Sequence, residues 1–142
     1  MLTSPENIQI VWDAGSECTA QAAAGQFLHV CPEGDWSPEQ LLLAAAESSL
    51  LVAFTRLAKE RGLEVLGYVS SAGITRSPRR GHVRIVVRPC VAIAQAADES
   101  LVHELLGRAR ETAPVARALG HSLRVAPEVV LLPPEGAVER AP

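Results

Sequence analysis

The stretch that most constrains this chain runs from Ser37 to Gly62, SPEQLLLAAAESSLLVAFTRLAKERG. It reads as one helix with both ends marked. Ser37 suits the N-cap, Pro38 the first helical position, and Gln40 completes an S-x-x-Q capping box. Trp36 and Leu41 flank the cap as a hydrophobic staple would. Lys59 and Arg61 fall in the last turn, where cations favour the helix dipole, and Gly62 can take the left-handed closing position. Between the caps, apolar residues cover nearly every face from Leu41 to Phe54. Such a helix is expected to be buried on all sides, by the rest of the chain or by a second copy. Glu47 interrupts the apolar run short of the ~20 residues a membrane span needs, so no membrane association is expected.

At 142 residues the chain has the length of a single domain with its own core. The expected domain covers 1–132, and the Pro-rich segment 133–142, PPEGAVERAP, is expected to be a disordered tail. Met1–Gln9 lacks the basic start and apolar run of a signal peptide, which points to the cytoplasm. Residues 1–55 contain seven acids and no Lys or Arg, net −7; residues 56–142 hold all 13 bases and nine acids, net +4. The two segments are expected to attract when they pack, within a chain or across a dimer.

Ile8, Ile10 and Trp12 alternate as a strand. Residues 17–22 and 26–31 read as a hairpin around Ala24-Gly25. If the loop has two residues, Cys18 lies opposite Cys31, Ala20 opposite His29 and Ala22 opposite Phe27. A three- or four-residue loop would break that register. Beyond the helix, 63–75 reads as a long strand, 76–81 as a turn, and 82–94 as a returning strand. Pro89 suggests that this second strand has an edge or a bulge there. Asp98 can cap a further helix with the stripe Leu101, Val102, Leu105, Leu106, Ala109 and Ala113. Pro114 breaks that helix, and 123–132 forms a last strand. The class is α+β, with mostly antiparallel strands around a long central helix.

Four features in order resemble the OsmC/Ohr family of small thiol peroxidases, which reduce organic hydroperoxides. They are the S-P-E-Q opening of the central helix, its A-A-A-E-S-S middle, the R-G-L-E-V exit and the A-P-V-A-R segment. The resemblance covers roughly Phe27 to Leu132. It implies an intertwined homodimer with central helices buried between sheets from both chains. It also implies a reactive cysteine ten residues after the P-E glutamate, a second cysteine before Pro-Val, and an N-terminal Arg paired with the glutamate. Here the glutamate is Glu39, the cysteine positions hold Ser49 and Ala113, and no Arg precedes Arg56. Peroxide reduction needs a thiolate that becomes a sulfenic acid, and a serine hydroxyl cannot follow that path. No catalytic set is therefore intact.

The candidate pocket residues are Glu39, Glu47, Ser49 and Ala113. Ser49 as a hydrolytic nucleophile would need a base and an oxyanion hole, and it sits in no G-x-S-x-G elbow. A small packing residue is the simpler reading. Glu39 in the first turn is accounted for by the dipole alone. Glu47 has no partner at helical spacing, so a buried pair with Arg84 or Arg88 is expected, with pocket lining the alternative. Cys18, Cys31 and Cys90 fall on expected strands as buried, inert thiols. The cysteines and four histidines lack metal-ligand spacing, so neither metal nor cofactor is expected. Arg76, Arg79 and Arg80 form a basic turn without interleaved aromatics, so no nucleic-acid partner is expected.

The preferred reading is an OsmC-like homodimer without the thiol-peroxidase centre, keeping a dimer-interface pocket for a small apolar or acyl ligand. The alternatives are an active hydroperoxide reductase of oxidative-stress defence, using a relocated cysteine (Cys31 or Cys90), and a structural or regulatory partner of an active family member.

Overall fold

A computed structural model describes residues 7–12, 18–30, 35–78 and 81–132. Cys31 and the segment 133–142 lie outside the described residues. The element order is β1 (Ile8–Trp12), β2 (Cys18–Ala22), β3 (Phe27–Val30), α1 (Pro38–Glu60), β4 (Gly67–Arg76), β5 (Val83–Ile93), α2 (Glu99–Thr112), α3 (Pro114–Leu119), β6 (Leu123–Val125) and β7 (Glu128–Leu131). Short 3₁₀ turns at Ala96–Asp98 and Gly120–Ser122 flank α2 and α3. The chain divides within α1 into two compact units, Met1–Leu42 and Leu43–Pro142.

The first unit carries an antiparallel three-stranded sheet in the order β1-β2-β3. Its hairpin differs in register from the two-residue-loop expectation. Cys18 lies opposite Val30, Thr19 opposite His29 and Ala20 opposite Leu28. Ala22 N–H donates to Gln26 O (2.8 Å) and Gly25 N–H to Ala22 O (3.0 Å), so the loop is the three residues Ala23, Ala24 and Gly25. Gly25 has φ +95°, the left-handed residue that closes a three-residue hairpin loop. The extra loop residue shifts the partner strand by one position, and Cys18 Sγ contacts Val30 O at 3.4 Å. The same unit holds the start of α1. Gln40 N–H donates to Ser37 Oγ (3.1 Å) and Ser37 N–H to Gln40 Oε1 (2.9 Å), the reciprocal capping box read from the sequence.

In the second unit, α1 closes on Gly62 at φ +68°. Leu63 N–H donates to Ala58 O (2.9 Å) and Gly62 N–H to Lys59 O (3.2 Å), a Schellman ending. The backbone between the helix and Leu66 is not strand, so β4 begins at Gly67, later than the periodicity suggests. β5 is the centre of a four-stranded sheet: β4 pairs antiparallel on one side, β6 and β7 parallel on the other. The sheet therefore mixes both senses, and the single strand expected over 123–132 is two short ones.

Pro89 sits in this central strand, neither at an edge nor in a bulge, opposite Ser70. Val87 O and Ile93 O accept from Ala126 N–H and Leu132 N–H (both 2.9 Å) on the side of β6 and β7. Strand alternation turns the Pro89 nitrogen the same way. It faces the gap where β6 has ended and β7 has not begun, so no ladder bond is lost.

Alternation also sets the core. Ile85, Val87, Val91 and Ile93 are buried together with Leu50, Phe54 and Leu57 of α1 and Val102, Leu105, Leu106 and Ala109 of α2. Each fully buried Leu, Ile or Phe contributes about 1.5–3 kcal/mol. Asp98 stands at the N-terminus of α2 but makes no side-chain capping bond, the 3₁₀ turn having taken its place in the entry. Ala113, before Pro114, is extended (φ −63°, ψ 127°), which separates α2 from α3 as the proline requires.

α1 is not buried all round within the chain. Ala46, Leu50, Ala53, Phe54, Leu57 and Ala58 are buried, while Val52 on the opposite face is 69% exposed. By length and composition alone this helix could cross a membrane, but its buried face is packed in the protein core.

Candidate functional site

The break at Pro114 brings the start of α3 against the middle of α1. A pocket of about 510 Å³ opens there, lined by Ala45, Ser48, Ser49, Val52, Ala53 and Arg56 of α1 and by 112–115. Ser49 and Ala113 therefore share one pocket, although 64 positions separate them. Val115 N–H donates to Ser49 Oγ over 3.3 Å. α3 has no side-chain cap of its own, because its N-cap residue is Ala113. Ser49 supplies from α1 the acceptor that a capping serine would supply locally.

The other hydroxyls bond back to the backbone of their own helices. Ser48 Oγ donates to Ala44 O (2.7 Å) and Thr112 Oγ1 to Arg108 O (2.9 Å). Arg56 supplies the pocket's one formal charge and has no carboxylate partner among the described residues. Among the described residues, no cysteine, histidine or carboxylate lines the pocket. Its chemistry is an apolar wall, hydroxyls and one guanidinium, with no nucleophile–base pair.

Glu39 is exposed in the first turn of α1 and does not line this pocket. Glu47 does not line it either, and the expected pair with Arg84 or Arg88 is absent. Those arginines occupy even positions of β5 and are exposed, whereas the odd positions face the helices. Glu47 Oε1 is buried without a partner, as are Tyr68 OH and Ser70 Oγ. Tyr68 and Ser70 lie on β4 opposite Val91 and Pro89, on the sheet face turned to the helices. Burial, and after it the Glu47 carboxylate, pushes the Tyr68 phenol up from 10.0 to about 12. Cys18 and Cys90 are free thiols, half-buried, and neither lines the pocket. No cluster of potential metal ligands exists among the described residues.

A family model for OsmC-like protein matches residues 32–128. The chain belongs to the OsmC-like family. That match contains α1, the pocket and the α2–α3 break. The OsmC-like protein of Mycoplasma pneumoniae superposes with a TM-score of 0.75 at 15% identity, over 92% of this chain and 99% of that one. The organic hydroperoxide resistance protein OhrB of Bacillus subtilis gives 0.64 at 20% identity, over 89% and 100%. An organic hydroperoxide resistance protein OsmC of Legionella pneumophila gives 0.65 at 16%, over 91% and 100%. At these identities the likeness establishes the OsmC-like fold. No curated protein sequence matches the chain.

Sequence reasoning paired Ser49 with Ala113 through the resemblance, but it missed Arg56, Val52 and Thr112 as pocket residues. Helical spacing from Ser49 carries the signal for Val52 and Arg56, at i+3 and i+7.

Proposed function

We propose that this protein is a soluble, cytoplasmic OsmC-like homodimer that has lost the thiol-peroxidase centre and binds a small apolar or acyl ligand in the Ser49 pocket. One observation carries the reading: Ser49 and Ala113 stand together in a pocket with no cysteine among its described lining residues. The hydroxyl of Ser49 is occupied as the acceptor for Val115 N–H, a structural task that needs no thiol. Ala45, Val52, Ala53, Pro114 and Val115 favour a hydrocarbon, and Arg56 offers a fork for a carboxylate head group.

The dimer rests on exposed apolar surface. Val52 on α1 and Val69 on β4 are 69% and 73% exposed, and Ile8, Ile10, Trp12 and Phe27 of the three-stranded sheet are also exposed. A second copy covering these residues accounts for a helix apolar on both faces.

The experiment supplies purified protein with cumene hydroperoxide and a dithiol reductant, and separately records its native mass spectrum. No turnover above free thiol and a co-purifying acyl ligand are expected. Saturable turnover abolished by substituting Cys31 or Cys90 would replace this reading with that of an active reductase using a relocated cysteine. A ligand-free protein that binds no fatty acid on titration would leave a structural role in an OsmC-like assembly.

A further inference from the structure

The face of the β4–β7 sheet turned away from the helices differs in chemistry from the core face. Directly opposed strand residues share a face. The register therefore puts Thr75 beside Arg84, Gly73 beside Val86 and Arg124, and Ser71 beside Arg88 on that outer side. Arg84, Arg88 and Arg124 are all exposed, and none is ion-paired among the described residues. We infer that this face docks an extended acidic segment of a partner protein, whose carboxylates on alternate residues meet Arg84, Arg124 and Arg88 in turn.

The spacing follows from the strands themselves. Same-face neighbours on one strand stand roughly 6.5–7 Å apart, so the backbones of Arg84 and Arg88 are separated by roughly 13 Å. Arg124, on the adjacent β6, occupies the row between them, paired with Val86. The three cations therefore fall in successive rows of one face. An extended chain repeats its same-face side chains at the same interval, so acidic residues at i, i+2 and i+4 reach one arginine each. The floor is low: Gly73 has no side chain, a Cβ there would meet nothing within 4 Å, and Val86 is half-buried. Ser71 and Thr75 border it with hydroxyls. Among the described strand residues, the one carboxylate on this face is Glu128, in the row beyond Arg88 and opposite Cys90.

Charge complementarity selects the partner. Guanidiniums take carboxylates as planar forks, and several exposed pairs in register act together where one alone is worth little. A nucleic-acid strand is disfavoured. Tyr68, the single aromatic residue of β4–β7, is on the opposite face, so this one offers no stacking platform. The net charge of −3 also opposes a long polyanion. The surface shares no residue with the Ser49 pocket, so it stands or falls separately.

The test titrates two capped peptides of equal charge, E-S-E-S-E and E-E-E-S-S, into the isotope-labelled full chain and follows its backbone amide resonances. E-S-E-S-E should give saturable shifts confined to these rows. Arg84→Gln, Arg124→Gln or Arg88→Gln should each weaken its binding about two- to fivefold, the worth of one exposed ion pair, and the three together should abolish it. Arg108→Gln removes the same charge from the exposed surface of α2 and should leave binding unchanged. E-E-E-S-S turns its carboxylates to alternate sides when extended and should bind more weakly. The site is refuted if E-S-E-S-E does not saturate, if the shifts lie elsewhere, if Arg108→Gln acts as strongly, or if the two peptides bind alike. Tighter binding of oligothymidylate at these rows would overturn it in favour of a nucleic-acid surface. The arginines are exposed, and unchanged melting temperatures for the variants confirm that folding is not being read instead.

Discussion

The backbone N–H of Val115 donates to the Oγ of Ser49 across 3.3 Å, so a side chain in the middle of α1 caps a helix that begins 65 residues later. Ala113, at the N-cap position of α3, has no group to do this. The position that the family resemblance assigns to a reactive cysteine thus holds a hydrogen-bond acceptor for the start of α3.

Ser49→Ala should therefore destabilise the fold by about 1 kcal/mol, the usual worth of a capping side chain. Equilibrium urea unfolding at constant m-value checks it. Ala113→Ser, added to Ser49→Ala, places a cap where helices ordinarily carry one and should recover part of the loss. A Ser49→Ala midpoint equal to the parent would mean that the hydroxyl contributes nothing across the helices.

Tyr68 predicts an alkaline weakness. Burial pushes its phenol up to about 12 in the folded protein, from an ordinary value of 10.0. Between these values the unfolded chain loses the proton first, so stability present below pH 10 is lost as pH rises toward 12. Tyr68→Phe should remove that loss while leaving neutral-pH stability unchanged or improved, because the buried OH has no partner to lose. Tyr68 is the chain's single tyrosine, so its phenolate absorbance reports the titration directly. A midpoint near 10 would show that the ring is solvated.

Glu47 supplies the second cause of that shift. Glu47→Gln should lower the Tyr68 midpoint but leave it above 10, since burial is the larger cause. Glu47→Leu should be neutral or stabilising, because it removes a buried acceptor without a donor. A buried ion pair would behave oppositely, with loss of one partner costing about 3–5 kcal/mol. Severe destabilisation of Glu47→Leu in urea would restore the Arg pair that the sequence suggested.

These side chains show what the sequence could and could not carry. The ends of α1 were legible because capping is local: Ser37 and Gln40 are three residues apart, and Gly62 needs only its own φ. The stop at Pro114 was legible for the same reason. The β2–β3 register was not. A-A-A-G-Q accepts a two- or three-residue loop with equal ease, and one extra residue moves Cys18 from its expected partner Cys31 to Val30. The parallel pairing of β6 and β7 and the burial of Pro89 depend on which strands meet across the sheet, and no local pattern encodes that. Glu47 was rightly singled out as odd, but the face on which Arg84 and Arg88 emerge was fixed only by strand parity. In the pocket, Thr112 and Val52 carry too little distinctive chemistry to stand out before the helices meet.

The exposed face of α1 yields the last expectation. Val52 is 69% exposed on a helix whose opposite side is in the core, and it borders the Ser49 pocket. If a second copy covers it, Val52→Glu puts a carboxylate into an apolar interface, where an unpaired charge is strongly disfavoured. In an isolated chain the same substitution stays within about 0.5 kcal/mol of neutral, as surface changes do. Sedimentation at micromolar protein separates the two. The parent should sediment as a dimer, and Val52→Glu as a monomer or an aggregate. Val52→Leu, which keeps the surface apolar, should remain dimeric. A parent that is folded and monomeric at that concentration would remove the dimer from the proposed function and leave the Ser49 pocket as a feature of one chain.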